Sequence, residues 1–226
     1  MPRPRTCSRA TGSSSCSASP GSPSTASRCT RPDMRAPAAS PRIVDAVRTS
    51  RRTLSGWGRT APSVATVLDV PPSALDPASI AAALGDVGER GAIARGLGRS
   101  YGDPAQNAGG TVVRLGRGPI RLEPSTATAT VGAGVSFDEL MRHLVPRGFF
   151  VPVTPGTRFV SVGGAIASDI HGKNHHRDGT FGAHVTAMTL LLADGRTVAL
   201  TPHGDPELWW ATIGGMGLTG LILDAT

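Results

Sequence analysis

Three glycine-rich segments and one histidine-rich stretch carry the side chains of this sequence that could do chemistry. The first reads Arg95, Gly96, Leu97, Gly98, Arg99, Ser100, Tyr101, Gly102, Asp103. Gly98, Ser100 and Gly102 match the G-x-S-x-G spacing of a hydrolase nucleophile elbow, which needs a helix straight after the serine. Asp103-Pro104-Ala105-Gln106-Asn107 follows instead, a loop composition, so a serine hydrolase is disfavoured. The same residues suit an anion cradle. Gly96, Gly98 and Gly102 permit positive φ and let successive N–H groups converge on one phosphate. Arg99 and Ser100 can add charge-assisted and neutral hydrogen bonds.

The second segment spans residues 155–172 and includes Gly156 and Thr157. Ser161 is placed to cap a short helix running through Ala167, whose N-terminus would face a diphosphate. Gly163, Gly164, Ala165 and Ala167 keep that helix thin, so that a flat cofactor can lie on the backbone; a thin helix packed on another helix is the plainer alternative. The third segment, residues 215–220, spells G-x-G-x-x-G, which binds dinucleotides only between a preceding strand and a following helix. Helix-like Glu207-Leu208-Trp209-Trp210 precedes it and strand-like Leu221-Ile222-Leu223 follows, so the order is reversed and a Rossmann site is disfavoured. Lys173 is the only lysine and its neighbours do not fit a P-loop. His171 and His175 could bind a metal if both lay on one helix, but Gly172 and Gly179 favour a loop. A structural histidine cluster and a catalytic edge beside a redox ring are the other readings.

Short elements must hold these loops. Asp76-Pro77 starts a helix carrying Ile80, Leu84 and Val87 on one face. Residues 91–94 and 111–113 read as strands flanking the first loop, and 126–131 alternates as a half-buried strand does. Ser136 and Glu139 form a capping box ahead of Leu140 and Leu144, with a stop at Gly148. Residues 185–192 and 197–200 form a hairpin about Asp194-Gly195. Asp205-Pro206 starts a last helix, and Leu221 starts a strand with no turn or partner after it, as in a cut chain. Strands and helices in no regular βαβ series indicate an α+β fold.

The 226 residues carry a net charge of +7, which would suggest a nucleic-acid or membrane partner if it were spread evenly. It is not. Residues 1–52 hold ten of the 23 basic residues and two of the 16 acidic ones. That Ser/Pro/Arg-rich stretch lacks the apolar content to fold and has no apolar core of a secretory signal. A disordered extension is expected, with a transit peptide or RNA-binding arm as alternatives. Cys7, Cys16 and Cys29 all lie there, which leaves the rest without disulfide, cysteine–zinc site or thiol nucleophile. No run is apolar enough to span a membrane.

The segments 56–62, 95–103, 155–157, 162–167, 169–176 and 217–220 together resemble the flavin subunits of decaprenylphosphoryl-ribose 2′-epimerases. These belong to the vanillyl-alcohol-oxidase, or p-cresol-methylhydroxylase-type (PCMH-type), flavoprotein family. The resemblance runs from about Leu54 to Thr226. It implies a two-lobed PCMH-type FAD-binding domain over 54–226, truncated before the substrate (cap) domain, with 1–53 a disordered extension outside it. By resemblance, residues 95–103 hold FAD together with Gly156, Thr157, Ser161, Val162, Gly163 and Gly164. Ala167, Ser168, Asp169, His171 and Ile222 complete that set. Many relatives carry a flavin-linked histidine where this chain has Arg99, so FAD is expected to be non-covalent. The implied reaction takes hydride from the C2′ alcohol of a polyprenylphosphoryl pentose to flavin, with His171, Lys173 and Tyr101 as catalytic candidates. An NADH-dependent reductase partner then completes the 2′-epimerisation of cell-wall arabinan synthesis. The fragment alone is expected to bind FAD weakly and turn over little. Other readings are an alditol or aldonolactone oxidase of the same fold, a non-catalytic remnant, or a nucleic-acid binder using the basic tail. The expected location is cytoplasmic, or peripheral at the membrane and cell envelope.

Overall fold

Residues 46–226, apart from Thr60 and Asp86, are described by a computed structural model. Most of the expected disordered extension, up to residue 45, lies outside the described residues. Its end is displaced: strand β1 (Arg48–Leu54) pairs antiparallel with β2 (Ser63–Val70) along its whole length. Arg48-Thr49-Ser50-Arg51-Arg52 reads as tail because it is polar on both faces. An edge strand tolerates that, since its outer side meets water and its charges discourage further pairing.

β2 lies parallel to β4 (Thr111–Leu115), and β4 parallel to β3 (Ala92–Ala94), giving the order β1-β2-β4-β3. Helix α1 (Pro77–Leu84) makes the crossover from β2 to β3 that parallel strands require. Asp76 caps it by accepting from Ser79 N at 2.8 Å, and Ile80 is fully buried beneath it. The helix stops at Gly85, whose φ is +51°, so Val87 falls outside the expected apolar stripe.

A second, wholly antiparallel sheet contains β5 (Ile120–Glu123), β6 (Thr128–Gly132), β7 (Met188–Leu191), β8 (Thr197–Leu200) and β9 (Leu221–Ala225). Its order is β5-β6-β9-β7-β8. β6 begins two residues later than the alternation suggests, because Ala127 turns with φ +53°. The hairpin between β7 and β8 turns at Gly195, φ +82°. β9, which sequence alone leaves unpartnered, is the central strand, paired with β6 and β7 from earlier in the chain.

Helices α2 (Phe137–Leu144), α3 (Val162–Ala167) and α5 (Pro206–Thr212) cover this sheet, and α4 (His175–Asp178) is a single exposed turn. The α2 capping box forms in both directions: Glu139 N donates to Ser136 Oγ at 3.2 Å and Ser136 N to Glu139 Oε2 at 3.0 Å. Phe137, Leu140 and Leu144 then face the main core with Trp209 of α5. A smaller cluster joins Leu68 and Val113 of the first sheet, Ile80 of α1, and Leu191 and Leu221 of the second. That shared cluster fixes the two sheets against each other beside the glycine-rich loops. No helix among the described residues is long and apolar enough to cross a membrane.

Candidate cofactor site

The 95–103 loop leaves the first sheet at β3, and its peptide polarity is set from behind. Trp57 N donates to Ser100 O at 2.6 Å and Gly58 N to Tyr101 O at 3.2 Å. The Arg95 guanidinium donates to Ser55 O at 2.7 Å and Ala105 O at 2.9 Å. Arg99 donates to Leu97 O at 3.2 Å and lies 4.7 Å over the Trp57 ring. With these carbonyls turned to the buttress, none of the N–H groups of residues 96–103 donates to a protein group among the described residues. A run of free backbone donors on one loop is the electrostatic signature of an anion nest.

Of the three glycines expected to need positive φ here, only Gly98 uses it, at +67°. Gly96 is required for a different reason. A Cβ there would lie 2.1 Å from Ser161 Oγ, where this loop meets the second one. Arg95 adds charge behind the amides. Burial, and then the positive charge of Arg114, lower its pKa from the ordinary arginine value. Its hydrogen-bond partners are the two carbonyls, so an anion in front of the loop would offset the positive charge.

The second loop departs from expectation in one respect. α3 forms, and Ser161 Oγ caps it by accepting from Gly164 N at 3.2 Å. Its first amides, however, are already used. Val162 N donates to Val135 O and Gly163 N to Ala133 O, both at 2.9 Å. The stretch after β6 runs past the start of α3 and takes those donors, so the α3 N-terminus does not present them to a diphosphate. Gly163 serves that close packing, since a Cβ would come 2.9 Å from Ala133 Cβ. Ahead of α3, the amides of Gly156, Thr157, Arg158, Val160 and Ser161 donate to no protein group among the described residues. A Cβ at Gly156 would meet nothing within 4 Å.

Between the two loops lies a cavity of about 800 Å³, within the roughly 300–1,000 Å³ of small-molecule sites. Residues 95–102 line it, together with Gly156, Thr157, Ser161, Gly163, Gly164, Ala167, Ser168 and Ile222. Other candidates do not. Val162 is buried in the core, and Asp103 is exposed beyond the lining. Asp169, at φ +40°, accepts from Gly182 N at 2.9 Å and so ties the chain after α3. His171 is bridged to Thr180 and Lys173 is exposed, and neither lines the cavity. Tyr101 does, on the rim, 79% exposed.

His171 and His175 do not share a helix, since α4 begins at His175; their rings meet edge-on at 5.4 Å. Among the described residues no group of three or more His, Cys, Asp or Glu is arranged to hold a metal. Sequence reasoning missed Trp57 and the 216–220 loop as parts of the wall. Gly217 and Gly220 carried a signal, but for another fold: here their loop follows α5, precedes β9, and closes the cavity with φ of +80° and +153°.

The donor set suits a ligand with a phosphate-rich middle and a long flat body: free amides on both loops, an uncompensated guanidinium behind one, and small residues along the wall. Residues 69–201 match the FAD binding domain family. The chain belongs to that family. FAD is the cofactor of that family, and the cavity lined by residues 95–102, Gly163, Gly164, Ala167, Met216 and Ile222 has the size to take it. Over 187 residues the chain is 54% identical to decaprenylphosphoryl-beta-D-ribose oxidase of Mycolicibacterium smegmatis, covering 79% of this chain and 39% of the relative. It is 32% identical to alditol oxidase of a Streptomyces species over 59% of this chain and 33% of that one. For D-arabinono-1,4-lactone oxidase of Eremothecium gossypii the values are 32%, 44% and 19%. The chain thus spans well under half the length of these curated relatives.

Proposed function

We propose that this chain is the cofactor-binding part of an FAD-dependent oxidoreductase that oxidises the C2′ secondary alcohol of a polyprenylphosphoryl pentose. The observation that carries the reading is the row of free amides on residues 96–102, which line a cavity of cofactor size. The 54% identity to the mycobacterial oxidase supports the substrate class. Bound FAD supplies the acceptor for the two electrons that leave with the carbinol hydrogen. The protein's own share is to hold that cofactor by its diphosphate, to exclude water along α3 and Ile222, and to hold the substrate. Tyr101, on the rim, and His171 and Lys173, which follow the wall residue Ile170, are the proposed groups that shape the sugar pocket and receive the hydroxyl proton. Arg99 has no nucleophilic atom, and it is engaged with Trp57 and Leu97 O. FAD is therefore proposed to be non-covalent. The ketone product would pass to an NADH-dependent reductase partner.

The likeness to alditol oxidase favours a second substrate class, a free polyol or aldonolactone. Anaerobic mixing separates the two. Bleaching of the flavin absorbance by polyprenylphosphoryl ribose but not by free alditol supports the first reading, and the converse pattern supports the second. Protein that takes up no FAD at micromolar supply would overturn both.

A further inference from the structure

Met216 occupies a backbone position that a residue with a Cβ normally avoids. Its φ is +54°, between Gly214 at +76° and Gly217 at +80°. Glycine or asparagine would sit there with less strain, so the strain points to a use for the side chain. That side chain lines the cofactor cavity, and its Sδ is 3.9 Å from Ser168 Oγ, which donates to it weakly. Met216 N donates to Ala167 O at 2.8 Å, locking the loop onto the end of α3. A thioether suits such a wall because it is apolar, polarizable and adaptable.

The same residue is 43% exposed. Of the other described methionines, Met188 is 2% exposed within β7 and Met141 packs against the main core from α2. Thioether oxidation follows exposure.

We propose that Met216 is a peroxide-sensitive modification site whose oxidation lowers the chain's hold on its cofactor. The thioether sulfur gives an electron pair to one oxygen of hydrogen peroxide. The O–O bond breaks, a sulfoxide S–O bond forms, and the other oxygen leaves as water. The sulfoxide oxygen is a strong acceptor, and the Ser168 hydroxyl next to the sulfur is a donor ready for it. The side chain is then pinned as a polar group on a wall shared with Ala167, Gly217 and Ile222. The effect on FAD rests on the function proposed above; the selectivity of the oxidation does not.

The test uses the purified chain exposed to graded hydrogen peroxide, with oxidation mapped by peptide mass so that Cys7, Cys16 and Cys29 are scored separately. The expected result is that Met216 gains oxygen several-fold faster than Met141 and Met188. Oxidation of Met141 or Met188 before Met216 overturns the site. FAD retention is then measured on the oxidised protein, on Met216→Leu treated alike, and on oxidised protein after methionine sulfoxide reductase. Retention roughly tenfold weaker is expected for the wild type, the low end of the effect of burying a new polar group. Met216→Leu should be unaffected by peroxide, and the reductase should restore binding. Equal loss in Met216→Leu, or no recovery on reduction, overturns the regulatory half. If no form binds FAD before peroxide is added, the proposed function fails while the mapping still decides the modification.

Discussion

Replacing Gly56 with alanine tests whether the buttress behind residues 96–103 is what orients their amides. Gly56 is buried, and a Cβ there would lie 1.9 Å from Gly102 O and 2.8 Å from Ser100 O. Both neighbours are backbone atoms, so no side chain can swing aside. Reaching even 3.0 Å requires a shift of about 1 Å in one strand of the contact. That shift falls on the hydrogen bonds from Trp57 N to Ser100 O and from Gly58 N to Tyr101 O. Overpacking of this size costs about 1–3 kcal/mol. Relieved by moving the loop, it would weaken FAD binding by about 10- to 100-fold, at about 1.4 kcal/mol per tenfold. Gly58→Ala is the graded companion, since its Cβ would meet Tyr101 O at 2.8 Å, and it should lose less. The assay is FAD titration of apo-protein by flavin fluorescence quenching, with the thermal midpoint of each apo-variant recorded alongside. Wild-type FAD affinity in Gly56→Ala would refute the reasoning. So would Gly58→Ala proving the worse binder, or an affinity loss wholly matched by lost apo-protein stability.

Gly156→Ala should leave the thermal midpoint of the apo-protein unchanged, because its Cβ meets no protein atom, yet weaken FAD binding if the cofactor lies against it; titration and melting together decide. Arg95→Lys keeps a charge but loses the fork that reaches both Ser55 O and Ala105 O, and should weaken FAD by about tenfold, with the salt dependence of binding largely retained. Hydrogen bonds from Ser79 hold the Asp76 carboxyl below its ordinary pKa of 3.8. A depressed folded pKa gives stability that is present above the ordinary value and is lost as pH falls through the lowered one. Protection of the Ser79 amide, taken relative to its intrinsic exchange rate, should therefore fall below about pH 3.8, and Asp76→Asn, which keeps an acceptor, should remove that pH dependence.

What could be read from the sequence was whatever a few neighbouring residues decide. Asp76-Pro77, the Ser136–Glu139 box and Asp205-Pro206 each start a helix where they stand, because a cap needs only the next three amides. The Gly98 loop and the Ser161 cap were legible for the same reason. Missed features depend on neighbours far along the chain. β1 looks like tail until β2 supplies its partner, and β9 looks like an open end until β6 and β7 close on it. The donors of α3 looked free because Ala133 and Val135, which take them, come from the other side of the intervening α2. His171 and Lys173 follow the wall residue Ile170 without lining the cavity, a placement that no neighbouring residue in the sequence decides.

These corrections shift where binding specificity resides. With the first α3 amides consumed and Arg95 turned back to carbonyls, the proposed phosphate contacts fall to main-chain N–H groups that no side-chain substitution removes. The loop can therefore drift in sequence at Leu97 while keeping its hold on the cofactor. It cannot drift at Gly56, Gly96 or Gly163, whose missing Cβ atoms set how closely loop, buttress and helix approach. Tolerance at exposed cavity-facing positions and intolerance at glycines behind them is the pattern a backbone-built anion site must show. A site built from charged side chains would show the reverse.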